Sequence, residues 1–202
     1  CALPIFIIFL SVFCTAGIER AGAYNIMYAE QYYQLYHRNF YQYPEDFREN
    51  IWYLERALAR PFVNPLNAMA EIQDKSEWER YRYLFAMHVN LELVKQYRLW
   101  GSKYDKRNAF FFNEPWKEQN LESLETAESH YETALYYWNR ALIWWARAQK
   151  TEYHHLEEIQ YWEDERERIE SGELDYAAII SRDLQRLRGV RQAFENMDES
   201  TY

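Results

Sequence analysis

Residues 116–171 read WKEQNLESLETAESHYETALYYWNRALIWWARAQKTEYHHLEEIQYWEDERERIES, a stretch with neither glycine nor proline. Nothing in it stops a helix, yet at about 1.5 Å per residue one unbroken helix would run some 80 Å. The stretch therefore predicts two helices, or one very long helix bent near Lys150-Thr151, with Ser171-Gly172 closing it. The whole chain of 202 residues holds only 5 Gly and 5 Pro. A soluble chain averages roughly 12% of the two together, and a sheet protein with many tight turns needs them most. The expected fold is all-α: antiparallel helical hairpins, with long helices in the C-terminal half.

Working outward, residues 24–43 place Ile26, Tyr28, Ala29, Tyr32, Tyr33, Leu35, Tyr36 and Phe40 at steps of three and four, the period of a helix with a wide buried stripe. Pro44 interrupts it. Glu45-Asp46 then supply negative charge for the amino end of a second helix through Phe47, Ile51, Leu54, Ala57 and Leu58, stopped by Pro61. Asn64-Pro65 reads as a cap and first turn of a short helix through Leu66, Met69 and Ile72. A long amphipathic helix follows from Trp78 to Trp100, and Gly101 is expected to end it. Residues 102–115 have no period and hold three consecutive phenylalanines. The last helix, about Asp175 to Met197, carries Tyr176, Ile180, Leu184, Leu187, Val190, Phe194 and Met197 on one stripe.

The amino end reads differently. Residues 1–18 are uncharged, with an apolar run from Leu3 to Leu10, and Ala21-Gly22-Ala23 offers a small-x-small cleavage site before Tyr24. With no initiator methionine and no basic segment before the run, its first few residues are expected to be missing from the sequence. Residues 1–23 are expected to be a signal peptide or an N-terminal anchor, and residues 24–202 a single exported, helical repeat-like domain. Lipidation at Cys14 is a rival, weakened by the bulky Phe13 before it, and a retained anchor is another, since 18 residues sit at the lower limit for crossing a bilayer. Both cysteines, Cys1 and Cys14, lie in this segment, so the remainder has no disulfide framework, thiolate zinc site or thiol nucleophile.

Chemistry is sparse elsewhere. A formal net charge of -9 disfavours nucleic acid as a partner. No glycine-rich phosphate loop, nucleophile elbow or H-E-x-x-H is present. Glu152-x-x-His155 has the spacing of di-iron bundles, but the second copy such a site needs is missing, so a solvated face is expected. His88 sits on an apolar stripe and is expected to be a hydrogen-bonded core histidine, and Glu163–Arg168 an exposed helix end. A metal enzyme built on Glu152 and His155 is the weakest reading. No catalytic residue, cofactor or metal is expected.

What the chain has in abundance is rings: 8 Trp, 19 Tyr and 11 Phe. Ala134-x3-Trp138-x2-Ala141 matches the small-large-small spacing on the second helix of a tetratricopeptide repeat, and Leu54-x2-Ala57 echoes it. Their separation is not a whole number of repeats of about 34 residues, so any array is interrupted. The same spacing also lines ordinary helix pairs. Phe110, Phe111, Phe112 and Trp116 read either as a loop packed on helices or as a docking knob, and Trp144-Trp145 as a second interface candidate; the several ring-bearing sides of that helix place it centrally or under a partner.

The stretches Tyr24–Tyr33, Glu49–Leu58, Asn64–Met69, Glu77–Phe85 and Leu156–Asp164 resemble those of spirochaetal periplasmic flagellar collar proteins. The resemblance implies an exported, tetratricopeptide-like, noncatalytic structural subunit around the flagellar motor, supporting collar and stator assembly. Its implied partners are other collar and motor proteins and stator subunits, with the membrane reached only through the N-terminal segment. The alternative is a tetratricopeptide-like envelope lipoprotein in outer-membrane assembly or solute uptake.

Overall fold

The computed structural model describes residues 25–198 and Ser200, so the expected leader and Cys14 lie outside the described residues. Six α-helices in antiparallel packing make up the fold, and no strand occurs among the described residues. They are α1 (Ala29–Gln42), α2 (Phe47–Ala59), α3 (Lys75–Tyr104), α4 (Lys117–Ala148), α5 (Gln160–Glu170) and α6 (Tyr176–Glu195). None of them is long and apolar enough to cross a membrane.

The glycine-free stretch resolves into α4 and α5, with the break at residues 149–156 where the bend was expected. α4 repeats every seven residues: Leu124, Tyr131 and Trp138 form one row, Ala127, Ala134, Ala141 and Ala148 the row beside it, all buried. A seven-residue period keeps one seam facing its neighbour along a long helix, and alanine lets the neighbour come close. That neighbour is α3, whose pairing with α4 is the most extensive in the molecule. α6 covers another side of α4, with its seven predicted stripe residues, Tyr176 to Met197, all buried. Asp175 caps α6 by accepting from the Ala178 amide at 3.0 Å. Gly172, at φ +78°, makes the turn before it, as its position predicted.

The α1–α2 hairpin closes over the other side of α3. Asp46 caps α2 through the Glu49 amide at 3.2 Å, and the Ala29 amide donates to the Pro61 carbonyl at 2.9 Å. Tyr33, Tyr81, Phe85 and Trp162 meet at its base as a buried aromatic cluster, with ring centroids 5.4–6.3 Å apart.

Two expected boundaries move. Gly101 does not end α3, which runs three residues further to Tyr104. The glycine serves packing instead: a Cβ there would lie 2.9 Å from the Tyr131 ring. The expected helix after Asn64 is a single 3-10 turn, Pro65–Asn67, capped by Asn64. The Met69 amide turns away to donate to the Tyr81 hydroxyl at 3.3 Å, which ends helical pairing there.

Candidate protein-interaction surface

The connection from α3 to α4 contains the three phenylalanines. The sequence shows no period here, yet Phe111–Trp116 forms a 3-10 turn. The Asn113 side chain starts it by accepting from the Phe110 amide at 3.2 Å, while the Asn113 amide donates to the Phe110 carbonyl at 2.9 Å. Phe110 stacks on Phe112 at 5.2 Å, and Phe111 meets Phe112 edge-on at 5.5 Å. The rings cover one another rather than entering the core, and Phe110, Phe111, Phe112 and Trp116 are 50, 60, 48 and 56% exposed. Four large rings facing water within seven residues form the kind of patch that marks a contact site.

The other candidates sit deeper. Trp145 is partly buried and its Nε1 donates to the Arg166 carbonyl at 3.2 Å, fastening α5 to α4. Trp144 stands beside Tyr83 of α3, ring centroids 5.9 Å apart, beneath the Arg147 guanidinium at 4.4 Å. Leu54, Ala57, Ala134, Trp138 and Ala141 are all buried, and Trp138 meets Tyr176 of α6 edge-on.

The polar groups fall into internal networks. His88 is buried, as expected of a core histidine, with Nε2 2.7 Å from the Tyr33 hydroxyl and Nδ1 2.5 Å from Glu165 Oε2. Lys95 Nζ donates to Glu92 Oε1 at 2.6 Å and to Glu165 Oε1 at 3.0 Å, and the Tyr36 hydroxyl donates to Glu92 at 2.7 Å. Burial pushes both carboxyls up, but His88 and Lys95 outweigh it, joined by the Tyr36 hydroxyl at Glu92, and hold both below the usual carboxylate range. Ligand atoms of His88, Glu92 and Glu165 lie within 4.8 Å of one another, the donor set of a divalent-cation site. The Lys95 ammonium already bridges the two carboxylates, so this donor set fits an internal salt link better than an ion.

The Glu163–Arg168 run corrects its expectation of an exposed helix end. Glu163 is fully buried and takes two hydrogen bonds from Arg80, at 2.5 and 2.8 Å, and one from Arg166 at 2.8 Å. Arg80 Nη1 also donates to the carbonyls of Ala148, Thr151 and Glu152, so one guanidinium caps the open end of α4 and anchors α5. The helical spacing of charges within the run gave no sign of this, because the decisive partner lies on α3. Arg80 stands within an otherwise apolar stripe, and that was the one available signal. Glu152 and His155 face solvent, as expected.

No curated protein and no solved structure matches the chain. One family does, described as "domain of unknown function (DUF8513)", and its match runs over residues 76–197. That span takes in α3 through α6, with the Arg80–Glu163 link, His88 and the phenylalanine turn, and leaves out the α1–α2 hairpin. With the match covering more than half of its length, the chain belongs to the DUF8513 family.

Proposed function

We propose that this protein is a noncatalytic scaffold subunit that holds other polypeptides through exposed aromatic side chains. The observation that carries the reading is the turn at residues 110–116, where four large rings are spent on solvent while the polar groups are turned inward onto one another. In a chain with this many carboxylates and arginines, exposed phenylalanines side by side lower solubility unless a partner covers them. The assembly we propose for it is the periplasmic flagellar collar, on the resemblance of most of residues 24–197 to collar proteins, with collar and stator components as its neighbours. The proposal extends to tetratricopeptide-like use of its helices. The α1–α2 hairpin has about the span of one repeat of roughly 34 residues, and the α3–α4 hairpin is more than twice that.

The test is a Phe110→Glu/Phe111→Glu/Phe112→Glu variant expressed in place of the wild-type chain. Loss of co-purifying envelope proteins, and loss of collar density in electron tomograms of the flagellar motor, is the expected result. Unchanged association together with an intact collar would refute the reading.

A further inference from the structure

A second surface lies on the flank where α2 and α4 both pack on α3. A pocket of about 300 Å³ opens there, walled by Leu58, Phe62, Tyr83 and Trp144. Three arginines, Arg82, Arg140 and Arg147, stand around it. In a chain with 32 acidic residues these three are in no ion pair, while seven other arginines among the described residues are. Each guanidinium rests on a ring instead: Arg147 on Trp144 at 4.4 Å, Arg82 on Trp78 at 5.7 Å, and Arg140 on Tyr136 at 5.8 Å, with Nη1 of Arg140 also donating to the Tyr136 hydroxyl at 3.3 Å. Arg82 Nε is buried without a hydrogen-bond partner. The nearby carboxylate of Glu79 is taken by the Tyr83 hydroxyl at 2.7 Å. A guanidinium lying on a ring keeps its N–H edges available for a carboxylate.

Geometry restricts the ligand. Arg140 and Arg147 are seven residues apart, about 10.5 Å along the helix, and each folds back over a ring one turn earlier, so their charged heads keep that separation. One carboxylate cannot reach both. Two carboxylates three residues apart can on an extended chain of polyproline II type, which turns every third side chain to the same face at roughly 3.1 Å per residue. An apolar cavity of about 150 Å³ already holds a benzene ring, so this pocket has room for one bulky side chain between them.

We infer that this groove binds an extended acidic segment of a partner protein, placing one large apolar side chain in the pocket and two carboxylates, three residues apart, on Arg140 and Arg147. The inference rests on the scaffold reading and assigns it a second contact with a stated chemistry. A random dodecapeptide display library panned against the whole chain tests it. Selected peptides are expected to share two acidic residues three apart flanking an aromatic or branched residue. Their affinity, read by fluorescence polarisation, should fall tenfold or more in Arg140→Glu/Arg147→Glu, and weaken with added salt. Arg147 is exposed, Arg140 is half-buried and neither is in an ion pair, so circular dichroism should show an unchanged fold, which a change at Arg82, whose Nε is buried, would not guarantee. Three results would overturn the inference: a selection without the acidic pair, peptides that bind the variant equally, or displacement by phenylpropionate at the peptide's own concentration. The phenylalanine-turn variant, run in parallel, separates the two proposals. If it loses envelope partners while no acidic peptide is selected, the groove fails and the scaffold reading stands; if it keeps them while acidic peptides bind, the reverse holds.

Discussion

At the scale of single residues, Glu163 is the most exacting position. Its carboxylate is fully buried between Arg80 and Arg166, and its neutral replacement leaves the buried Arg80 guanidinium with no anion, while Arg166 keeps Glu167 and Glu170. Breaking a buried ion pair from one side costs about 3–5 kcal/mol. Glu163→Gln is therefore expected to lower the midpoint of thermal unfolding by roughly 10 °C, at the few degrees per kcal/mol usual for a chain of this size. Circular dichroism melting checks it, and a shift under 2 °C would contradict the account. Reading the charges around Glu163 along its own helix gave the wrong environment for it. Carboxylate and guanidinium side chains look alike in sequence whether they face water or each other, and here the partner is 83 residues away.

At the scale of elements, α3 and α4 are matched by an alanine row on one helix and a glycine on the other. Gly101 allows Tyr131 to lie against the α3 backbone, and the Tyr131 hydroxyl donates to Asp105 at 2.8 Å, where Arg186 of α6 also binds. The ring is buried and tied at its far end, so it cannot swing aside. Gly101→Ala gains about 1 kcal/mol of helix propensity but overpacks this contact, at a cost of about 1–3 kcal/mol. A net loss of stability in urea titration is expected. Gly189, inside α6, has nothing within 4 Å of the place its Cβ would take, and Gly189→Ala should stabilise by up to about 1 kcal/mol. Opposite signs for two chemically identical changes are the decisive readout. The existence of all six helices, and most of their boundaries, follow from period and from Asp46, Pro61, Gly172 and Asp175. Gly101 misled because a glycine near a helix end signals a stop in sequence, whereas its use as a contact depends on a ring from another helix.

At the scale of the molecule, the network of Tyr33, Tyr36, His88, Glu92, Lys95 and Glu165 joins α1, α3 and α5 across the core. Glu92 and Glu165 bind protons less readily in the folded chain than in the unfolded one, where a glutamate titrates near 4.5. Their stabilisation is complete above that value and is lost as pH falls through their lower folded-state values. The unfolding free energy read by urea titration is expected to drop between pH 5 and about pH 3, by up to roughly 1.4 kcal/mol per pH unit for each proton taken up. A Glu92→Gln/Glu165→Gln variant should be less stable at pH 7 and show a shallower acid limb; equal slopes would remove these groups from the account. Helical period and the scarcity of glycine and proline act locally, so the all-helical class, the hairpin order and the buried stripes are legible in the amino-acid sequence alone. Contacts between helices settle that Arg80, Glu163 and His88 close onto partners far along the chain, that the phenylalanines are exposed, and that Arg82, Arg140 and Arg147 gather on rings rather than in ion pairs. Those outcomes depend on which helix faces come together, and a linear pattern carries no information about distance between faces.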